Sequence, residues 1–394
     1  MSDNASLVVM SAAISQAGVA CVVMKLVLGP AVDGLDAWAA STRRGTTPLW
    51  WALAGSLATL AGCGWALQHA LRAAWPAAVP LAWAALRACS SSTWSIVVKL
   101  MQHESAPQAF TSNIAMATAA QHMGKAAGAL LPEWVGSSAG SLSLVWQVVL
   151  AGSAVCASAA MWIPCDTAAS AGLAVQAPPK QRAPQHSGVR GYCQAIQWRV
   201  LLPGAVGVAG IAVMNEGLAY ATAHTRALAA GMARPDLRAA GSAIPAIMPL
   251  AVMSVLSIAG RVNISSAKSM LAWLAAAGAA SALCLASIAG WTASPPHLVL
   301  LAGAWGTAAA LGAWPWNVGA PAIAAAAVPA RVSGTVSSLL DMLGYALLAG
   351  LAGPASQALL SGPAPAWAPA LTVHAVAGAA GAAGLVASAV ALGR

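Results

Sequence analysis

Charge is what this sequence has least of. Asp, Glu, Lys and Arg make up 7% of the 394 residues, and only 9 side chains are acidic. A soluble chain of this length needs a charged surface, so a soluble globular fold is excluded. Charges this sparse and scattered offer no clustered catalytic set, so no enzyme is expected. There is no Walker loop and no Gly-x-Ser-x-Gly turn, which argues against ATP-driven transport by this chain alone. The cysteines Cys21, Cys63, Cys89, Cys156, Cys165, Cys193 and Cys284 form no CxxC pair and no Cys/His metal spacing. They read as small apolar packing residues, and no cofactor or metal is implied. The first apolar run follows Met1-Ser2-Asp3-Asn4. It lacks the basic leader of a secretory signal and the Arg-rich start of a transit peptide, so it reads as a span.

Long apolar stretches recur from residue 5 to the last few residues, and 59% of the chain is hydrophobic. A bilayer core about 30 Å thick takes roughly 20 apolar residues per helix. Backbone polar groups in lipid must be satisfied within the protein, by helices or by a closed barrel. Barrel strands would alternate apolar and polar over roughly ten residues. The runs here are longer and apolar on all sides. The pattern predicts an all-α polytopic membrane protein with spans near 5–29, 48–69, 76–98, 108–131, 141–163, 200–222, 239–260, 269–290, 297–326, 334–359 and 367–391. The ninth holds Pro315 and Pro321 and is expected to be kinked or broken. Trp50, Trp51, Trp75, Trp134, Trp162, Trp291 and Trp367 fall near span ends. An interfacial belt and simple compositional bias explain this about equally well.

Basic residues set the orientation. With the N-terminus outside, the inner loops hold Arg43, Arg44, Lys99, Lys180, Arg182, Arg190, Arg199, Arg261, Lys268, Arg331 and Arg394. The outer loops hold only Arg72, Arg226, Arg234 and Arg238. The positive-inside rule then puts the C-terminus in the cytoplasm. The net charge of +9 is this loop bias, with anionic lipid headgroups as its counterpart and no need of nucleic acid. A cysteine introduced at Ala230 in a cysteine-free chain should react with an impermeant thiol reagent from outside, whereas one at Ala183 should not. The reverse pattern would overturn the orientation.

Residues 164–198 are the longest polar segment, with Pro164, Pro178, Pro179, Pro184, Lys180, Arg182 and Arg190 and no apolar periodicity. They read as a cytoplasmic linker. It divides the chain into a half-bundle of five spans (1–163) and one of six (199–394), an organisation common in transporters.

Three stretches carry a family resemblance. Lys25-Leu-Val-Leu-Gly29-Pro-Ala-Val-Asp33-Gly resembles the signature loop of the major facilitator superfamily, in which a Gly and an Asp four residues later join the second and third helices. Pro329-Ala-Arg331-Val-Ser-Gly334-Thr, running on to Asp341-Met-Leu-Gly344-Tyr345, resembles the start of the eleventh helix in organophosphate and sugar-phosphate type members. Gln121-His-Met-Gly124-Lys125-Ala-Ala-Gly128 resembles the Gly-rich fifth helix. On this alignment the eleven spans are the family's helices two to twelve. The first helix is missing, which reads as a truncation. The signature also departs from its pattern. Gly34 replaces the basic residue after Asp33, and Arg43-Arg44 arrive late; Gly260-Arg261-Val262-Asn263 in the second half has no acid.

The resemblance implies a secondary active transporter of a small polar solute, working by alternating access between two half-bundles. The runner-up is a non-transporting, receptor-like or degenerate relative. Membrane lipids and the solute are the expected partners, and a monomer is favoured. Charged residues inside spans cost about 2.5–3.5 kcal/mol on insertion scales and so tend to face a cavity or a partner. Arg87, with its planar donor fork, and Lys125 tilt the solute toward an anion; the other reading of Arg87 is a structural pair. Glu216 and Asp341 are the proton-coupling candidates. Glu216 reads slightly better as a helix-end residue reaching interfacial water, and Asp341 reads better as the partner of a neighbouring Lys or Arg. Lys25 and Lys125 can snorkel toward headgroups, and His122 and His374 read as satisfied core residues. The resemblance assigns gating to Gly29, Asp33, Arg331 and Gly334. It places Asp33 against the positive helix start at Ser333-Gly334-Thr335.

Overall fold

The computed structural model describes residues 3–42, 46–72, 78–105, 110, 113–121, 123, 151–152, 155, 196–230, 250–258, 266–292, 298–329, 332–361 and 366–393. The described residues are almost wholly helical and include no strand. The long elements are α1 (Asp3–Ser41), α2 (Thr47–Arg72), α3 (Ala78–Glu104), α4 (Trp198–Ala230), α5 (Ala267–Gly290), α6 (Leu298–Ala327), α7 (Ser333–Leu347), α8 (Gly353–Leu360) and α9 (Trp367–Leu392). A π-helical turn, Leu348–Ala352, joins α7 to α8. Five of the described segments are long and apolar enough to cross a bilayer: Ala17–Ser41, Trp198–Leu218, Ala267–Gly290, Ser333–Leu360 and Trp367–Leu392. Large apolar side chains such as Val23, Val27, Trp65, Leu283 and Leu351 stay exposed on the outside, where lipid replaces water. The 164–195 part of the expected linker lies outside the described residues.

Three elements differ from the sequence expectation. The stretch from Gly29 to Ser41, expected to begin a loop, continues α1 through Pro30. Proline in a helix interior costs about 3 kcal/mol. Here Val32, Leu35 and Ala39 recur at helical spacing, and Val32 and Leu35 pack with Leu49, Ile96 and Leu100 of α2 and α3, so tertiary burial holds the extra turns. Helix α4 runs to Ala230, past its expected end near 222. Helix α6 is unbroken by Pro315 and Pro321. By contrast Pro354, one residue into α8, follows the π turn: it has no N–H to offer the carbonyl four residues back, and the coil widens there.

Helices α1, α2 and α3 pack on one another, while α4, α5, α6 and α9 form a second group. Within the second group α4 and α9 lie backbone to backbone at Gly207, Gly210, Gly381 and Gly384; a Cβ on Gly384 would sit 2.6 Å from the Gly207 nitrogen. Such close approach is how helices gain packing energy in lipid, where no hydrophobic drive separates them from their solvent. Ser388 Oγ donates to the Val200 carbonyl at 2.8 Å and Ser281 Oγ to Ala308 at 2.6 Å. Trp305, fully buried, donates to the Leu218 carbonyl at 3.3 Å. Helix α7 belongs to this second group through α4 and α6, and it also lies against α1. It is therefore the main contact between the two groups.

Candidate functional site

The contact of α1 with α7 is a polar seam. The two helices run antiparallel, so pairs descend one chain as they climb the other. Asp33 meets Thr335, Gly29 meets Ser338, Lys25 meets Asp341 and Gly18 meets Ala349. Four of these α1 positions fall on one helical face, each about one turn or two from the next.

At one end, Asp33 caps α7. The residue preceding that helix, Val332, makes no side-chain cap. Asp33 Oδ2 instead accepts from the Thr335 backbone N–H at 2.6 Å and from Thr335 Oγ1 at 2.7 Å. An N-terminus leaves its first N–H groups without partners inside the helix and carries partial positive charge, so a carboxylate satisfies both needs. The other oxygen of Asp33 accepts from Lys99 of α3 at 2.8 Å. Lys99 also reaches Asp36 at 3.2 Å, and Asp36 reaches His103 at 2.8 Å. Ser333 Oγ donates to Gln102 Oε1 at 3.2 Å, a second tie between α3 and α7.

Midway, Lys25 Nζ pairs with Asp341 Oδ2 at 2.9 Å, with Lys25 only 3% exposed. It also donates to Ser95 Oγ at 3.4 Å, and Ser95 meets Ser338 at 3.4 Å. Further along, Arg87 of α3 pairs with Glu216 of α4, Nη2 to Oε1, at 3.0 Å. Both pairs cross from the α1–α3 group to the other. His374 has both ring nitrogens engaged, Nδ1 with the Val213 carbonyl at 2.7 Å and Nε2 with Ser356 Oγ at 3.0 Å.

The structure thus brings together Arg87 with Glu216, Asp341 with Lys25, and Asp33 with the helix start that holds Gly334. Lys125, His122 and Arg331 lie outside the described residues. Sequence reasoning counted Lys99 as a loop charge, yet it is buried in α3. The signal available was the acid pair Asp33 and Asp36, three apart and so on one helix face. Ser95 and Ser338 carried no signal, since isolated serines in apolar helices are common.

The two glycines of the seam are set by close approach. A Cβ on Gly334 would fall 2.6 Å from Asp33 Oδ1, and one on Gly29 would fall 2.7 Å from Ser338 Cβ. Gly29→Leu should therefore push α1 from α7, at an overpacking cost of about 1–3 kcal/mol. The expected result is a lower unfolding temperature in detergent and faster labelling of a cysteine placed at Ser338. Unchanged labelling would show that the seam is looser than drawn.

No family model matches the sequence, and no curated protein matches it. Solved structures do resemble it. The crystal structure of the nucleoside transporter NupG aligns with 97% of this chain and 90% of its own, at a TM-score of 0.50 and 15% identity. The human organic anion transporter MFSD10 (TETRAN) aligns with 99% and 97%, at a TM-score of 0.47 and 14% identity. The chain shares the helical fold of the nucleoside transporter structure. With this fold and its apolar helices, the chain is an integral, multi-pass membrane protein.

Proposed function

We propose that this chain is a secondary active transporter that moves a small polar solute by alternating access of two half-bundles, 1–163 and 199–394, joined by a cytoplasmic linker. The observation that carries the reading is the chemistry of the seam. At the α1–α7 contact the two groups of helices are tied by an ion pair and a helix cap, while Val98 and Trp94 of α3 share an apolar cluster with the second group. Polar ties can be exchanged for others as one end opens, whereas packed cores resist sliding. In this scheme Asp33, Gly29, Arg331 and Gly334 form the inner gate. Arg87 and Lys125 face the solute, and Glu216 and Asp341 are the groups able to carry a proton.

Arg87→Lys tests the solute role. The lysine keeps the charge and loses the planar fork. Uptake in proteoliposomes should fall by more than tenfold, about 1.4 kcal/mol of lost binding, while the yield of folded protein stays near wild type. Equal losses of yield and uptake would make Arg87 a structural brace. A second reading draws on the same pairing. Lys25 and Arg87 each already hold a carboxylate, as permanent braces would in a non-transporting relative. Absence of any solute movement in proteoliposomes would favour that reading.

A further inference from the structure

Helices α5 and α9 pack against each other, and a groove of about 740 Å³ follows their seam. Alanines form its floor, with Ala275, Ala282, Ala382 and Ala389 all buried. Leu283, Val376 and Val386 also line it and stay exposed, so it opens toward lipid. On α5 it runs from Lys268 to Ala286, about 27 Å at the helical rise, close to the roughly 30 Å of a bilayer core. Its two ends differ in charge. Lys268 lines one end, and its ammonium lies across the mouth beside the end of α9: a Cβ on Gly393 would fall 2.7 Å from Nζ. The last carbonyls of a helix carry partial negative charge and favour a cation there. Among the described residues Lys268 has no ion pair and no hydrogen bond, and no acid lines the groove. At the far end Thr372 already gives its hydroxyl to the Ala368 carbonyl at 2.8 Å. On the other flank of the last turns of α9, Trp198 and Arg199 line a second recess with Val390 and Ala391. An exposed Trp beside basic residues marks this level as the headgroup interface.

We propose that the α5–α9 groove binds one anionic phospholipid, with an acyl chain along the alanines and the phosphate on Lys268. A chain lying in the groove meets protein atoms on its floor and on both sides, and dispersion attraction grows with the number of such contacts. The headgroup end supplies selectivity. A net negative headgroup is drawn to the ammonium, whereas a choline headgroup brings a second cation toward it. The rival occupant is a second copy of this chain. Two copies related by a two-fold axis along the membrane normal would present the same groove to each other. Their Lys268 ammoniums would then meet at one depth and repel, which favours the lipid. The site lies within the second helix group and shares no residue with the α1–α7 seam, so it does not depend on the transporter reading.

The full chain is reconstituted in vesicles of equal parts phosphatidylglycerol and phosphatidylcholine with matched acyl chains. It is then released into detergent, and the lipid it retains is counted by native mass spectrometry. Wild-type protein should keep one phosphatidylglycerol, preferred about fivefold over phosphatidylcholine, the effect of one basic residue near an anionic surface. Lys268→Gln should bring the two lipids to parity. Ala383→Trp, at an exposed position lining the groove, fills it and should lose lipid of either kind. Arg199→Gln, on the other flank of α9, is the control for general surface attraction and should keep the wild-type preference. No retained lipid or parity in wild-type protein overturns the proposal. So does an equal loss of preference in Lys268→Gln and Arg199→Gln, or wild-type retention by Ala383→Trp. Dimers without bound lipid that Ala383→Trp separates also overturn it, and assign the groove to a second copy. The lipid count on wild-type protein decides the matter even if a variant fails to fold.

Discussion

Asp33→Ala should open the Asp33 end of the α1–α7 seam. The substitution removes both acceptors from Thr335 and one of the two carboxylates around Lys99. A charge at a helix start contributes up to about 2 kcal/mol when partly buried, and Asp33 is 8% exposed. A loss of about 2 kcal/mol shifts a two-state balance roughly thirtyfold. Val332, the residue before the helix, supplies no cap in its place. Asp33→Asn should give a smaller shift, since its amide oxygen still accepts from the Thr335 N–H but carries no charge. Spin labels at the exposed Ala40 of α1 and Trp198 of α4 would report the change as a longer distance population. Membrane insertion should be unaffected, because the apolar spans are untouched. Identical distance distributions in wild type and Asp33→Ala would remove Asp33 from the gate.

The second large effect is expected at Lys25 and Asp341. Removing one member of a buried pair leaves the other charge without a partner, at a cost of about 3–5 kcal/mol. Lys25→Met should therefore lower the unfolding midpoint of the detergent-solubilised protein sharply. Lys25→Met combined with Asp341→Leu should recover most of that loss, since an apolar replacement of a whole buried pair is often neutral or stabilising. Ser95 would lose its lysine donor in both variants, so it does not distinguish them. The double-mutant cycle isolates the pair term. Additive losses would mean that Lys25 and Asp341 do not depend on each other. The pair would also stiffen the seam, so the double variant should alternate between states differently from wild type even where its stability is restored. Exchange rates measured on both proteins test that separation.

The legibility of this chain was uneven, for physical reasons. Hydropathy located the helices because lipid forces every backbone group into local hydrogen bonds; α2, α5 and α9 begin and end within a few residues of their expected limits. The end of α1 was misjudged because Gly29, Pro30 and Gly34 signal a turn locally. What extends the helix is burial of Val32 and Leu35 against residues from two other helices. Charged residues inside apolar spans stood out one by one, since each is expensive where it lies. Their partners did not stand out. Arg87 and Glu216 are 129 residues apart, and Lys25 and Asp341 are 316 apart.

The sequence by itself determined that this protein lies in a membrane, that it is helical and that the charged residues inside its expected spans needed a partner. Scarce charge and long apolar runs leave no other arrangement for the backbone, and these are properties of composition and local order. Only the tertiary structure decided who the partners are. That choice depends on α1 running antiparallel to α7 at one register, held by Gly29 and Gly334 where any side chain would collide. The register sets Asp33 on Thr335 and Lys25 on Asp341 together. A shift of one residue along either helix would rotate its face by about 100° and break both contacts.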